Sequence, residues 1–92
     1  MLQIPYTSQL FHEDDLIVAV CPELNVSSFG DTSEEALSSL QEAVTLFLET
    51  CQEMGTLEMV LEEAGYQREE DASHRWLPPQ PFLVKQLEVT FA

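Results

Sequence analysis

Apolar and polar residues alternate through residues 2–11, where Leu2, Ile4, Tyr6 and Leu10 share the even positions with Ser8. A period of two predicts a half-buried strand. Pro5 cannot donate to a ladder, which places the start of this strand at an edge or an irregularity. His12-Glu13-Asp14-Asp15 is polar and turn-like, and predicts the close of a hairpin. The next six residues, Leu16 to Cys21, are all apolar and half of them β-branched. The run is too short for a helix and predicts a strand covered on both faces, ended by Pro22. Residues 26–29 predict a brief third strand, which Gly30 stops.

The pattern then changes period. Ala36, Leu37, Leu40, Ala43, Val44, Phe47, Leu48, Cys51 and Met54 recur at spacings of three and four, the signature of a long amphipathic helix. Thr32-Ser33-Glu34-Glu35 has the form of a capping box, in which the Thr32 hydroxyl accepts from the Glu35 N–H and the Glu35 carboxylate returns to the N–H of Thr32. Gly55 admits the left-handed conformation that ends the helix. A short second helix follows, with Thr56 as its expected cap, Leu57, Val60, Leu61 and Ala64 on one face, and Gly65 as its stop. Residues 67–81 read as a polar connector with an extended Pro78-Pro79-Gln80-Pro81. Residues 82–91 alternate again, with Leu83, Leu87, Val89 and Phe91 opposite Gln86, Glu88 and Thr90, and predict a C-terminal strand with one wet face. The expected architecture is therefore a single α+β domain over residues 1–92, in the order β-β-β-α-α-β.

One long helix and a short companion cover one face of such a sheet. The two-faced run from Leu16 to Cys21 asks for cover on the other, so a second chain, identical or different, is expected to shield part of it. The alternative cover is the connector, folded back through Trp76 and its prolines. Trp76 itself reads equally as a partner anchor or as a seal on the chain's own core.

Ninety-two residues build one small core, and no apolar run is long enough to span a membrane. The N-terminal Met1-Leu2-Gln3-Ile4-Pro5 lacks the basic and apolar regions of a secretion signal. Cys21 and Cys51 are too few and too far apart for a disulfide framework, so both are expected to be reduced core thiols in a cytoplasmic protein. Charge changes the picture more. Seventeen acids face three bases, for a net −14, and the bases (Arg68, Arg75 and Lys85) all follow residue 67, after thirteen acids. Nucleic acids and anionic membranes are recognised by cations that this chain lacks. A basic protein partner is favoured, since opposite fields steer encounter; the same acids also serve solubility.

Candidate chemistry is sparse. His12, Glu13, Asp14 and Asp15 form the densest group of potential metal or acid–base ligands. Consecutive positions in a strand or turn point apart, however, and the spacing of a calcium loop is missing. Ser27, Ser28, Ser38 and Ser39 lack a nucleophile-elbow context, His74 stands alone beside Arg75, and three separated glycines make no phosphate loop. No catalytic residue, metal or cofactor is expected. A metal-dependent nuclease working through Asp14 and Asp15 is the enzymatic alternative.

The stretch Ala19-Val20-Cys21-Pro22-Glu23-Leu24, followed by Gly30-Asp31-Thr32-Ser33-Glu34-Glu35-Ala36-Leu37, resembles the HicB family of antitoxins from toxin–antitoxin pairs. The likeness covers residues 14–65. Its motif residues (Pro22, Leu24, Gly30, Asp31, Thr32 and Glu35) are fold residues: Pro22 ends ladder pairing, Gly30 permits the entry into the helix, and Thr32 with Glu35 seals the helix start. The resemblance implies a truncated ribonuclease H-like core without catalytic carboxylates. It also implies binding and neutralising of a small basic HicA-type mRNA-cleaving toxin, and assembly into dimers or higher oligomers. Two features depart from the family: no DNA-binding segment follows Gly65, and Asn25-Val26-Ser27 stands where many members have Pro-Gly-Cys. The alternative is an orphan homo-oligomeric acidic domain without a cognate toxin. For a charged contact with a basic partner, charge density points to Glu13, Asp14, Asp15 and Glu23.

Overall fold

The computed structural model describes residues 2–91, and of residues 72 and 73 the backbone alone. Strands β1 (Gln9–Glu13), β2 (Leu16–Cys21) and β3 (Val26–Gly30) form an antiparallel sheet in the order β1-β2-β3. Helices α1 (Ser33–Met54) and α2 (Leu57–Glu63) follow. A separate antiparallel hairpin of β4 (Gln67–Glu69) and β5 (Ala72–Leu77) completes the elements. The fold is α+β in the expected order. No helix among the described residues is long and apolar enough to cross a membrane.

α1 packs chiefly over β3 and β2. Ala19 and Cys21 of β2 meet Ala36, Leu40, Val44 and Cys51 of α1, and the core continues through Leu24, Leu57, Leu61, Tyr66 and Trp76. Both cysteines are buried and free. The helix start is sealed much as the sequence predicts, with one change of partner. The Glu35 N–H donates to the Thr32 hydroxyl at 3.1 Å, but the Glu35 carboxylate accepts from the N–H of Asp31 at 3.0 Å rather than from Thr32. Gly55 ends α1 in the left-handed conformation (φ 73°), with its N–H directed to the Cys51 and Gln52 carbonyls. Thr56 does not cap α2; its hydroxyl donates back to the Cys51 carbonyl at 3.3 Å.

At Gly30, where the chain leaves β3 to enter α1, the reason for glycine is space rather than backbone conformation. Gly30 is not among the positive-φ residues. A Cβ built on it would lie 2.6 Å from the Ala36 backbone nitrogen, so glycine is needed there for the close approach of strand and helix.

The ends of the chain depart from expectation in three ways. The predicted first strand over 2–11 is regular only from Gln9. Ahead of it, Gln3 makes an isolated parallel bridge to Arg75 of β5, through hydrogen bonds to the His74 carbonyl and from the Trp76 N–H. The region expected to be a connector, 67–81, carries β4 and β5 instead. The predicted C-terminal strand over 82–91 does not form. Its alternation is present, but no neighbouring strand offers the backbone partners that turn an alternating segment into a strand. Phe82, Leu83, Val84, Leu87, Val89 and Phe91 are all at least 71% exposed. The radius of gyration is 15.7 Å, against about 12 Å for a compact chain of this length.

Trp76 belongs to the core, at 2% exposure. The Arg68 guanidinium lies 5.1 Å over its ring and pairs with Glu58.

Candidate interaction surface

Strand register decides what each face of the three-stranded sheet presents. Side chains alternate, so Ile17, Ala19 and Cys21 point to α1 while Leu16, Val18 and Val20 point away. Phe11 pairs with Val18, and Val18 with Phe29. Together they lay an apolar row across the outer face, in which Phe11 is 53% and Phe29 61% exposed. Beside it, a groove lined by Leu16, Val18, Ser27, Ser28 and Phe29 is closed at one end by Glu13 and Asp14. The strand expected to be covered on both faces is therefore covered within this chain on one.

The acidic rim comes from the β1–β2 turn. Glu13 pairs with Leu16, leaving Asp14 and Asp15 as a two-residue loop. Asp14 adopts φ 54°, a left-handed conformation that aspartate tolerates better than most side chains. Glu13, Asp14 and Asp15 are exposed, and none of them makes an ion pair among the described residues. His12 is also exposed, opposite Ile17.

Glu23, the fourth residue singled out by charge density, is engaged elsewhere. Its carboxylate accepts from the Thr7 N–H at 3.1 Å, from the Thr7 hydroxyl at 2.5 Å and from the Cys21 thiol at 3.5 Å. Burial pushes this carboxyl upward, but the Thr7 hydroxyl, the backbone N–H groups of Glu23 and Thr7, and the Cys21 thiol outweigh it and hold its pKa below the ordinary 4.5. The Cys21 thiol is pushed up, first by burial and further by Glu23. The neighbouring Tyr66 hydroxyl is also pushed up, by burial and then by Glu23 and Cys21, and it donates to the Pro5 carbonyl at 2.6 Å. This cluster ties residues 5–7 to the core. Nothing in the sequence near Thr7 announces it, because its partner lies sixteen positions away.

The bases leave the acids largely unopposed. Arg68 pairs with Glu58, and Arg75 lies 3.7 Å from Glu69. Among the described residues, no three His, Cys, Asp or Glu side chains gather as a metal site. The motif residues Pro22, Leu24, Gly30, Asp31, Thr32 and Glu35 sit at the β2–β3 turn and the start of α1, where they build the fold. An exposed apolar row with an acidic rim can bind a protein whose contact surface is apolar at its centre and basic at its edge. Phe11 and Phe29 were not legible as part of this surface, since which face they occupy depends on cross-strand register. No protein-family model, curated protein or solved structure matches the chain.

Proposed function

We propose that this chain is a HicB-like, non-enzymatic cytoplasmic antitoxin that binds and neutralises a small basic HicA-type mRNA-cleaving toxin. The observation that carries the reading is an unneutralised acidic surface. Thirteen acids precede the first base, both arginines are engaged within the chain, and the Glu13-Asp14-Asp15 turn stands free at the end of an exposed apolar sheet face. A basic ribonuclease must keep its cations accessible to hold RNA. An acidic protein that occupies those cations blocks the RNA by direct competition, with no chemistry of its own. Glu13, Asp14 and Asp15 are assigned to the charged contact, and Glu23 serves mainly to hold residue 7.

The test is titration of the chain with a purified HicA-type toxin, the product of the neighbouring gene where that gene encodes one. Expected are binding that weakens steeply with salt and loss of mRNA cleavage at stoichiometric ratio. No binding at low salt, or binding that leaves cleavage intact, overturns the proposal.

A further inference from the structure

The groove on the outer face of the three-stranded sheet has two chemically different ends. Glu13 stands opposite Leu16, and Val18 lies between Phe11 on one side and Phe29 on the other. Residues paired across an antiparallel ladder share a face, so Glu13 belongs to the same face as Leu16, Val18 and Phe29. Leu16, Val18 and Phe29 give the groove apolar walls, while Glu13 and Asp14 line it at the β1–β2 turn. Ser27, opposite Val20, lies toward the other end. The volume of about 480 Å³ falls among those of small-ligand clefts, about 300–1,000 Å³. An occupant therefore needs an apolar stem and a cationic head. A metal ion fits poorly, because the walls offer it no ligands and, among the described residues, no three His, Cys, Asp or Glu side chains gather. A wholly apolar side chain desolvates the two carboxylates without pairing them. Lysine and arginine have both parts, methylenes that pack on apolar surface and a charged head beyond them.

We propose that this groove receives one lysine or arginine side chain of a basic partner protein. Its methylenes pack on Leu16 and Val18, its cation meets the Glu13 and Asp14 carboxylates, and the Phe29 ring, 61% exposed, offers the cation its face. The inference rests on the reading above that this chain binds a basic protein, and it names the anchor of that contact. Charge selects a different chain over a second copy as the source. Arg68 and Arg75 are engaged with Glu58 and Glu69. Lys85 is then the base left to offer, on a body of net −14 that repels its like.

The test titrates the full chain with the methylamides of Nα-acetyl-arginine and Nα-acetyl-lysine, followed residue by residue by NMR, with the norleucine analogue as an uncharged stem. Saturable shifts are expected at residues 13–18 and 27–29 with the two cationic probes and not with norleucine. Glu13→Gln with Asp14→Asn, and separately Phe29→Ser, are each expected to weaken the binding at least fivefold. Asparagine tolerates the φ of 54° at position 14, and Phe29 is exposed, so neither variant endangers the fold. Glu42→Gln with Glu49→Gln removes the same charge from exposed positions of α1 and is expected to leave the binding unchanged. Shifts spread over the acidic surface, equal weakening by the α1 pair, or equal binding of norleucine overturns the proposal. The wider function is decided separately with purified HicA-type toxin. Probes that bind in the groove beside a toxin that does not bind support the groove and overturn that function. Toxin binding that Phe29→Ser and the Glu13→Gln, Asp14→Asn pair leave intact supports that function and overturns the groove. A dimer in sedimentation that Lys85→Gln dissolves places a second copy in the groove and overturns the choice of a different protein.

Discussion

The Glu23 carboxylate accepts both the backbone N–H and the hydroxyl of Thr7, so the turn after β2 holds the irregular segment before β1 in place. The bonds are charge-assisted but solvent-exposed, so screening brings their contribution down to about 0.5–1 kcal/mol together. Because the folded pKa of Glu23 lies below its ordinary 4.5, the contribution is fully present above that value. It is lost as pH falls through the lower, folded value. Glu23→Gln is expected to lower stability by about 0.5–1 kcal/mol at neutral pH in urea unfolding. The gap between parent and variant should close below pH 4.5. A constant gap down to acid pH would show that Glu23 acts through packing rather than charge.

Gly30 and Gly55 separate two reasons for glycine. At Gly30 a Cβ collides with the Ala36 backbone at 2.6 Å, which cannot yield without moving α1 off β3. Gly30→Ala is expected to cost about 1–3 kcal/mol, as overpacking does. At Gly55 nothing lies within 4 Å, and only the left-handed φ of 73° opposes a side chain. Gly55→Ala is expected to cost about 1 kcal/mol, and Gly55→Asn less, because asparagine adopts that conformation more readily. Thermal melts of the three variants test the ordering.

Thr32→Ala removes the hydroxyl that receives the Glu35 N–H. A loss of about 1 kcal/mol is expected, together with faster amide exchange confined to the first turn of α1. Thr56→Ala, by contrast, removes a hydroxyl that makes no cap to α2, and should change stability by less than half as much.

Neutralising the turn with Glu13→Gln, Asp14→Asn and Asp15→Asn tests the charged contact. These side chains make no ion pair among the described residues, so the melting temperature should hold or rise slightly as self-repulsion falls. The association rate with a basic partner is expected to drop about tenfold at low salt and to lose much of its salt dependence. An unchanged rate places the contact elsewhere on the acidic surface.

What could be read directly is what depends on local spacing. The bounds of α1, its Thr32 cap and its Gly55 stop follow from a period of three to four and from residues at its two ends. β2 and its end at Pro22 follow from an unbroken apolar run. Three-dimensional pairing decided the rest. Residues 82–91 alternate as a strand does, yet alternation describes two faces and says nothing about whether a neighbour exists to accept the backbone. β4 and β5 form where the polar composition suggested a connector, because Gln3 supplies hydrogen bonds from the far end of the chain and Trp76 finds a place in the core. Glu23 belongs by composition with Glu13, Asp14 and Asp15, and only the folded chain brings Thr7 to it. Periodicity is a property of consecutive residues and is set along the chain; partners separated by many residues exist only after the chain has folded, and they decide which elements are paired and which surfaces stay open.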